Sequence, residues 1–499
     1  MTPHRPNLYS SRMRSVTPNA AAVTPSWPSG TCGPTLVNDV HSRLNATAVN
    51  RIVTPQSVRA LQDAIREAAA DGCHVSIAGG RHAMGGQQFG RGTVLLDMRA
   101  LARVDELDTD RGLVSVEAGI DWMRLINHLL WAGAGDPHAW SIIQKQTGAD
   151  SLTIGGALSS NIHGRGLALP PLVADIECFD LVGPAGDLVT CSRTRNQDLF
   201  SLAIGGYGLF GAIARVTLRL ARRHKLERRV AIARMDDLPR LFERRIADGF
   251  EFGDFQFATD PRSREFMQVG VFSCYRAVSG DRPIPADQRT LDARDWRRLL
   301  LLAHNDKSRA FAEYARYYMS TDGQIYWSDT HQLSAYIDGY HDAIDRQVAT
   351  TGSEMITELY VPRQDLPAFM AAARDDARRH DVNVIYGTVR LIEQDDETML
   401  AWARQPWACT VINVHVDHSP NGLRKAQDDL RRLIETAAEF GGSYYLTYHR
   451  WATRDQVERC HPNMREFLRT KLAHDPGEVF SSDWYAHHVR LMRVGGTEQ

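Results

Sequence analysis

The spacing of apolar residues along the chain predicts two kinds of element. Thr54 and Pro55 predict a helix start, because threonine caps helices and proline suits their first turn. Apolar residues then recur every three or four positions, which places them on one helical face; they are Val58, Leu61, Ile65 and Ala68. The residues from Trp122 to Trp131 predict a second helix.

Short apolar runs, and runs in which apolar and polar residues alternate, predict strands. These runs occupy residues 74–78, 94–97, 113–119 and 212–220. Residues 179–190 predict a hairpin, because Pro-Ala-Gly-Asp in the middle of the run favours a turn. The basic run 222–225 then predicts a boundary, with the run itself a solvated linker.

The pattern changes after about residue 226. Strands are predicted at 266–272 and 411–417, and a helix is predicted over 423–440, where it ends at two glycines. Strands mixed with helices favour an α+β fold, with an antiparallel sheet covered by helices on one face. The pattern predicts a second domain over residues 226–450. The first 36 residues hold six prolines, so we expect a Pro-rich N-terminal arm over residues 1–44.

Composition and charge restrict the possible functions. The 499 residues carry a formal net charge of −2, with 43% hydrophobic and 24% charged residues, as in ordinary soluble proteins. This balance gives no reason to expect nucleic acid or an anionic membrane as partner. No apolar run reaches the roughly 18 residues that span a bilayer. The seven cysteines show no Cys-x-x-Cys spacing, so we expect no zinc site, reduced thiols and a cytoplasmic protein.

A glycine-rich loop follows the first predicted strand. The run Ile77-Ala-Gly-Gly-Arg-His-Ala-Met-Gly-Gly-Gln87 places His82 among the glycines. Glycines let the backbone approach a ligand closely, and successive N–H groups of such a loop bind anions such as a nucleotide phosphate. A Rossmann site is disfavoured, because a strand and not a helix follows the loop. The alternative is an ordinary loop with a surface histidine.

Three blocks, in this order, resemble the vanillyl-alcohol-oxidase or PCMH-type family of FAD-linked oxidoreductases. They are residues 81–87, 153–166 and 198–213. In that family the histidine of the first block bonds to the flavin 8α-methyl group. The resemblance therefore implies FAD attached covalently at His82, with a non-covalent FAD beside His82 as the alternative. It implies cofactor contacts from Gly79, Gly80, Arg81, Ala83, Met84, Gly85, Gln87, Thr153, Gly156, Ser160, Asn161, His163 and Ile213.

The resemblance also implies a two-domain α+β fold. Residues 45–222 would form the PCMH-type FAD-binding domain. Residues 451–499 would return to that domain after the antiparallel-sheet substrate domain, as the terminal segment does in the family.

Two predicted strands carry polar residues on one face. Tyr386, Thr388 and Arg390 alternate on the first strand, and Asn413, His415 and Asp417 alternate on the second. These faces either line a polar cavity or meet solvent.

Alditol and aldonolactone oxidases of the same family carry a Glu-x-Arg strand and a His-x-Thr strand over the flavin. Arg390 and His415 match the Arg and the His of these strands. Thr388 and Asp417 depart from the pattern, which puts an alditol substrate in doubt. Residues 448–451 resemble a His-x-Trp segment of these oxidases, with Arg454 as the following cation.

The resemblance implies an enzyme that oxidises a CH–OH group of a polar small molecule, such as a sugar, polyol or lactone, by hydride transfer to flavin N5. We expect oxygen as the electron acceptor. The candidate catalytic residues are Arg390, His415, His163 and Tyr386. His415 is the expected proton acceptor, with His163 or His449 as the next candidate, and Arg390 or Arg454 would stabilise anionic reduced flavin. The alternatives are a dehydrogenase that uses a quinone or protein, a reductase that uses NAD(P)H, and a binding protein without activity.

Overall fold

The computed structural model describes residues 34–136, 138–148, 150–334, 344–346 and 351–493, and it combines helices with antiparallel sheets, as the α+β prediction requires. The α-helices of this part are α1 (Val58–Ala70), α2 (Trp122–Ala132), α3 (Ile154–Ser160), α4 (Gln197–Ala203), α5 (Leu238–Ala247), α6 (Ala293–Asn305), α7 (Lys307–Met319), α8 (Leu366–Arg379), α9 (Pro420–Glu439), α10 (Arg454–Cys460), α11 (Met464–His474) and α12 (Asp483–Arg493).

The strands are β1 (Thr35–Val37), β2 (Thr47–Val49), β3 (Arg51–Val53), β4 (Val75–Ala78), β5 (Val94–Asp97), β6 (Val104–Asp108), β7 (Leu113–Glu117), β8 (Trp140–Ile142), β9 (Ile176–Val182), β10 (Leu188–Ser192), β11 (Ala212–Arg222), β12 (Lys225–Arg234), β13 (Phe250–Phe257), β14 (Val269–Val278), β15 (Ile325–Trp327), β16 (Gly352–Pro362), β17 (Val384–Ile392), β18 (Trp407–Asp417) and β19 (Ser443–Tyr444).

These strands form two larger and two smaller sheets. The small parallel sheet has the order β3-β5-β4, and the glycine-rich loop leaves it at the end of β4. A second sheet has the order β10-β9-β11-β7-β6, with β8 paired to β11, and β1 pairs with β2. The largest sheet is antiparallel throughout, in the order β15-β12-β14-β13-β17-β18-β16-β19.

The two faces of the largest sheet differ in chemistry because side chains alternate along each strand. On one face, apolar residues such as Leu359 and Ile412 are fully buried in a core shared with helices α8 and α9. On the opposite face the same strands present Glu358, Arg390 and Asn413. This polar face forms one wall of the site described below.

The C-terminal segment lies against the small parallel sheet. Val75 and Phe480 pair as a parallel bridge, and the Val75 N–H donates to the Val479 carbonyl over 2.6 Å. The Asp483 N–H donates to the Phe89 carbonyl, and the Asp483 carboxylate accepts from the Thr47 hydroxyl over 2.8 Å. Residues 479–483 thus complete the sheet that carries the glycine loop.

Several sequence-based boundaries need correction. Helix α1 begins after Ser57, whose hydroxyl accepts the Ala60 N–H over 3.1 Å, and not at Thr54. Strand β14 begins at Val269, because residues 261–268 form turns and hold Phe266 in the core. Residues 1–33 of the predicted arm lie outside the described residues. The described remainder of the arm contains strand β1, which pairs with β2.

The basic run at 222–225 is packed, contrary to the expected solvated linker. The Arg222 guanidinium lies 3.7 Å from the centre of the Trp140 ring, and that of Arg223 lies 3.9 Å from the Trp327 ring centre. Arg223 also pairs with the buried Asp329 carboxylate at 2.7 Å. Among the described residues, no helix has both the length and the apolar character that a membrane crossing requires.

Candidate active site

The glycine-rich loop and helix α3 line a cavity of about 700 Å³. The two segments touch so closely that a Cβ on Gly79 would lie 2.1 Å from the Thr153 hydroxyl oxygen. A Cβ on Gly80 would lie 2.6 Å from the Ser151 carbonyl oxygen. Only glycine fits at these two positions, which explains why the loop is glycine-rich on its α3 side.

Most of the predicted cofactor residues line this first cavity. They are Gly79, Gly80, Arg81, His82, Ala83, Gln87, Thr153, Gly156, Ser160 and Ile213. Burial lowers the pKa of Arg81 to about 10, a value that keeps its positive charge at neutral pH. The Gln88 side-chain oxygen also lines the cavity, is buried, and has no hydrogen-bond partner among the described residues.

Four predicted cofactor residues are not among those that line the cavity. The Met84 and Gly85 N–H groups both donate to the Thr447 carbonyl. The Asn161 side-chain NH₂ donates to the Asp395 carboxylate, and its oxygen accepts the Val173 N–H. His163 contacts Glu358 in the cluster described below. The sequence prediction also missed lining residues, which are Ile77, Gln88, Met98, Ala118, Leu152, Gly155, Ser159, Tyr207, Gly208 and Gly211.

His82 stands between two polar neighbours. Its Nδ1 atom lies 2.8 Å from His41 Nε2, and its Nε2 atom lies 3.0 Å from the Ser151 hydroxyl oxygen. Burial, with the adjacent His41 ring, lowers the pKa of His82 well below its ordinary value of 6.5. The ring is therefore neutral at physiological pH and keeps a nitrogen lone pair.

A second, larger cavity of about 1960 Å³ lies beside the first and opens to solvent. His41, which contacts His82 of the first cavity, also lines the second. The polar face of the largest sheet supplies Glu354, Glu358, Tyr386, Arg390 and Asn413 to its wall. The two cavities therefore meet near the His41–His82 pair.

A buried carboxylate, Glu358, organises the wall of the second cavity. One of its oxygens accepts the Tyr448 hydroxyl at 2.9 Å, and the other accepts the Tyr360 hydroxyl at 2.9 Å. The second oxygen also lies 2.9 Å from His163 Nε2. The other His163 nitrogen, Nδ1, lies 2.9 Å from the Gly164 carbonyl oxygen and so donates to it.

The His163–Glu358 pair shares a proton. The Gly164 carbonyl can only accept, so Nδ1 carries a hydrogen, and the contact between Nε2 and the carboxylate needs a second hydrogen. Burial alone would raise the pKa of Glu358, but His163, Arg390 and the Tyr360 hydroxyl outweigh burial and lower it. Glu358 is therefore ionised at neutral pH.

Arg390 lies on the wall of the second cavity with a buried Nε that has no hydrogen-bond partner in the described part of the chain. The Thr388 hydroxyl and the Asn413 side-chain oxygen lie on the same sheet face. Both are also buried without a hydrogen-bond partner among the described residues. Buried polar atoms normally have partners. Of these three residues, Arg390 and Asn413 line the second cavity and can offer a donor and an acceptor to a molecule bound there.

His415 is not brought to the His163–Glu358 pair. Cys409 Sγ lies 4.0 Å from His163 Nε2, and His415 follows Cys409 by six positions on β18. Six strand residues span about 20 Å. His415 Nδ1 instead lies 3.1 Å from a Glu354 oxygen, beside His304.

Of the predicted residues in segment 448–454, Tyr448 reaches the second cavity, whereas His449 and Arg454 do not line it. Tyr448 reaches the cavity through its bond to Glu358. His449 is fully buried, and burial lowers its pKa to about 4. Arg454 pairs with Glu458 at 3.1 Å and is not among the residues that line either cavity.

Sequence reasoning missed Glu358, the most highly connected side chain of the site. A signal was present in β16, where Glu354, Ile356, Glu358 and Tyr360 alternate on one face of an otherwise apolar strand. Two carboxylates on one face of a buried strand are costly unless they have partners.

Comparisons with known proteins agree with this geometry. Residues 49–192 match the model of an FAD binding domain. The chain is 23% identical to L-gulono-1,4-lactone dehydrogenase of Mycobacterium tuberculosis over 442 residues, which cover 88% of this chain and 95% of the relative.

Shorter matches cover about two fifths of the chain. Cytokinin dehydrogenase 7 of Oryza sativa subsp. japonica is 30% identical over 234 residues, or 43% of this chain and 42% of the relative. Mitochondrial L-galactono-1,4-lactone dehydrogenase of Arabidopsis thaliana is 26% identical over 208 residues, or 41% and 33%. The chain thus spans only about two fifths of the first of these curated relatives and one third of the second. The matches confirm the predicted FAD cofactor.

Proposed function

We propose that this chain, one of the FAD-linked oxidoreductases with a PCMH-type FAD-binding domain, oxidises a CH–OH group of a polar small molecule. Sugars, polyols and sugar lactones are the candidate substrates. Two lactone dehydrogenases among its relatives support this class. The single observation that carries the proposal is the buried His163–Glu358 pair on the wall of the second cavity.

The described residues fit FAD. The first cavity offers glycines that admit a close ligand, the Arg81 charge, and an unpartnered Gln88 oxygen. His82 stands where that cavity meets the second one. When bound, FAD supplies a two-electron acceptor for the hydride that leaves the substrate carbon. The protein supplies position and proton transfer.

The hydroxyl proton of the substrate passes to the His163–Glu358 pair. The pair holds an ionised carboxylate at neutral pH, because its hydrogen bonds and the nearby Arg390 lower the pKa of Glu358. Glu358 and Tyr448 both line the cavity, so the carboxylate accepts the proton directly or through the Tyr448 hydroxyl. Arg390 and Asn413 orient the polar substrate with a buried donor and a buried acceptor that lack partners among the described residues.

His415, the proton acceptor expected from the family resemblance, has no part in this step. Cys409 lies beside His163, and His415 lies six positions farther along β18. A hydroxyl held at Glu358 would therefore be beyond hydrogen-bond reach of His415. Tyr386 lines the same cavity and stays a candidate for substrate contact.

The test is anaerobic reduction of the purified flavoprotein by a panel of compounds, followed by flavin absorbance. The panel contains L-gulono-1,4-lactone, L-galactono-1,4-lactone, alditols, aldoses, a cytokinin and NADPH. Bleaching by at least one lactone, alditol or aldose supports the proposal. Bleaching by NADPH or the cytokinin alone contradicts it. Re-admission of oxygen, or of a quinone under nitrogen, then separates an oxidase from a dehydrogenase.

We expect His82 to be bonded covalently to the flavin. The low pKa of His82 keeps its imidazole neutral, so a ring nitrogen has a lone pair available to act as a nucleophile. After acid precipitation, the yellow colour should remain with the protein pellet, and a tryptic peptide containing His82 should carry the flavin mass. His82→Ala should retain part of its FAD without the bond. Colour found wholly in the supernatant of the unaltered protein would show a non-covalent cofactor.

We further propose that residues 45–222 and 226–450 act as the FAD-binding and substrate-binding domains, with residues 451–499 returned to the first. The contacts of Phe480 and Asp483 with β4 and the Phe89 carbonyl support the last point. A cytoplasmic location stays a proposal that rests on the free cysteines of the described residues.

A further inference from the structure

A second histidine–carboxylate cluster lies on the polar face of the largest sheet. It consists of His304 at the end of α6, Glu354 on β16 and His415 on β18. One Glu354 oxygen lies 3.2 Å from His304 Nε2 and 3.1 Å from His415 Nδ1. One donor atom from each of the three residues lies within 4.8 Å of the other two.

We propose that His304, Glu354 and His415 bind one divalent metal ion, and that Zn²⁺ is the ion their chemistry suits. Two imidazole nitrogens with one carboxylate oxygen form a common zinc ligand set. Ligand atoms about 2.0–2.2 Å from a tetrahedral zinc are about 3.3–3.6 Å apart, close to the two distances measured around Glu354. The three side chains come from separate elements, so the fold itself assembles the site.

The orientation of His304 favours a shared ion over a direct hydrogen bond. Its Nε2 atom is buried and close to the carboxylate, yet it makes no aligned hydrogen bond within the described part of the chain. The exposed fractions of the His304 and Glu354 side chains are both 3%. Metal binding produces this geometry. The His304 nitrogen and the Glu354 oxygen both point at the metal, so they lie close together without an aligned hydrogen bond between them.

The other histidine–carboxylate cluster does not share these properties. His163, Glu358 and Cys409 also lie close together. Glu354 also has a hydrogen-bond contact with His415 Nδ1 at 3.1 Å. Glu358, in contrast, receives hydrogens at both of its oxygens, from His163, Tyr360 and Tyr448. Burial also raises the pKa of the Cys409 thiol well above its ordinary value. A metal ligand has to be deprotonated, so this cluster is a hydrogen-bond network.

The proposed zinc site faces the larger cavity. Glu354 lines that cavity and lies on the same face of β16 as Glu358, four residues away, which corresponds to about 13 Å. Three protein ligands leave one zinc position for water or for an oxygen of a bound molecule. The ion would therefore hold an oxygen-bearing group of a cavity ligand at a distance from the proton acceptor.

The test measures zinc in the flavin-loaded protein. Metal content is determined by plasma mass spectrometry, and chelator-treated protein is then titrated with ZnCl₂ by calorimetry. We expect one tight site per chain. His304→Gln and His415→Gln should each weaken zinc binding more than about 100-fold, since even outer partners of metal ligands contribute 10- to 100-fold. Glu358→Gln, the matched change in the other cluster, should bind zinc as the unaltered protein does.

Two results would overturn the proposal. The first is no zinc uptake by the unaltered protein, and the second is equal zinc affinity in the His304 variant. If both histidine variants fail to fold, X-ray absorption of the zinc-loaded unaltered protein decides. Two imidazole nitrogens and two oxygens at about 2.0–2.2 Å, one oxygen from Glu354 and one from water or a bound molecule, support the site. A set without two imidazole nitrogens contradicts it.

Discussion

Glu358→Gln is expected to lower the rate of flavin reduction by about 10²- to 10⁴-fold, the usual contribution of a general base. The amide keeps the size of the side chain but cannot take up a proton at either oxygen. The FAD content should stay unchanged, because Glu358 lines the second cavity and not the first. Stopped-flow mixing without oxygen, with any substrate found in the panel, measures the limiting rate.

A matched control is available on the same sheet. Glu227 is also a buried carboxylate, but it pairs with Arg276 and Arg282 and is not among the residues that line either cavity. Glu227→Gln should reduce its flavin at the normal rate. Normal reduction by Glu358→Gln would remove the assignment of the proton acceptor and leave the FAD site unaffected.

The pH dependence gives an independent check of the same residue. The pKa of Glu358 lies below its ordinary value of 4.5, so more than half of the carboxylate is ionised at pH 4.5. The limiting reduction rate should therefore keep more than half of its plateau value at pH 4.5 and be lost at lower pH. In Glu358→Gln this acid limb should disappear. A rate that falls with a midpoint near 6.5 would instead indicate a free histidine.

Phe480→Ala is expected to lower the free energy of unfolding by about 3–5 kcal/mol, the usual cost of removing a buried phenylalanine side chain. Phe480 is fully buried in the core around α1 and β5, and its backbone pairs with Val75. The lost contacts also loosen β4, which leads into the glycine loop. Urea unfolding followed by circular dichroism measures the loss.

The exposed Leu472 on α11 serves as the control for Phe480. With 42% of its surface accessible, its change to alanine should alter the unfolding free energy by less than about 0.5 kcal/mol. If Phe480→Ala unfolds at the same urea concentration as Leu472→Ala, residues 479–483 do not stabilise the FAD-binding part.

Local patterns predicted the elements of the first half well. Helix α2 begins at Trp122 and strand β5 covers Val94–Asp97, as predicted, because short-range periodicity determines such elements. The start of α1 was misplaced, since both Thr54 and Ser57 can cap a helix and only the backbone geometry decides between them.

The first cavity was largely foreseeable and the second was not. His82 and Thr153 belong to short motifs, each of which lies within one stretch of chain. Glu358 and His163 are 195 residues apart, and only the packing of the large sheet against the FAD-binding part brings them together. Alternation placed Arg390 and His415 on polar faces, but it did not give their distance along the sheet.

The docking of residues 479–483 on β4 has a consequence for biosynthesis. His74 and Glu478, which are joined by a hydrogen bond, are 404 residues apart in the sequence. At about 5–20 residues per second, a ribosome needs about 20–80 s to make the intervening chain. During that time the parallel sheet has an open edge beside the nascent glycine loop. Strand β4 therefore gains its C-terminal neighbour only when synthesis of the described chain is almost finished.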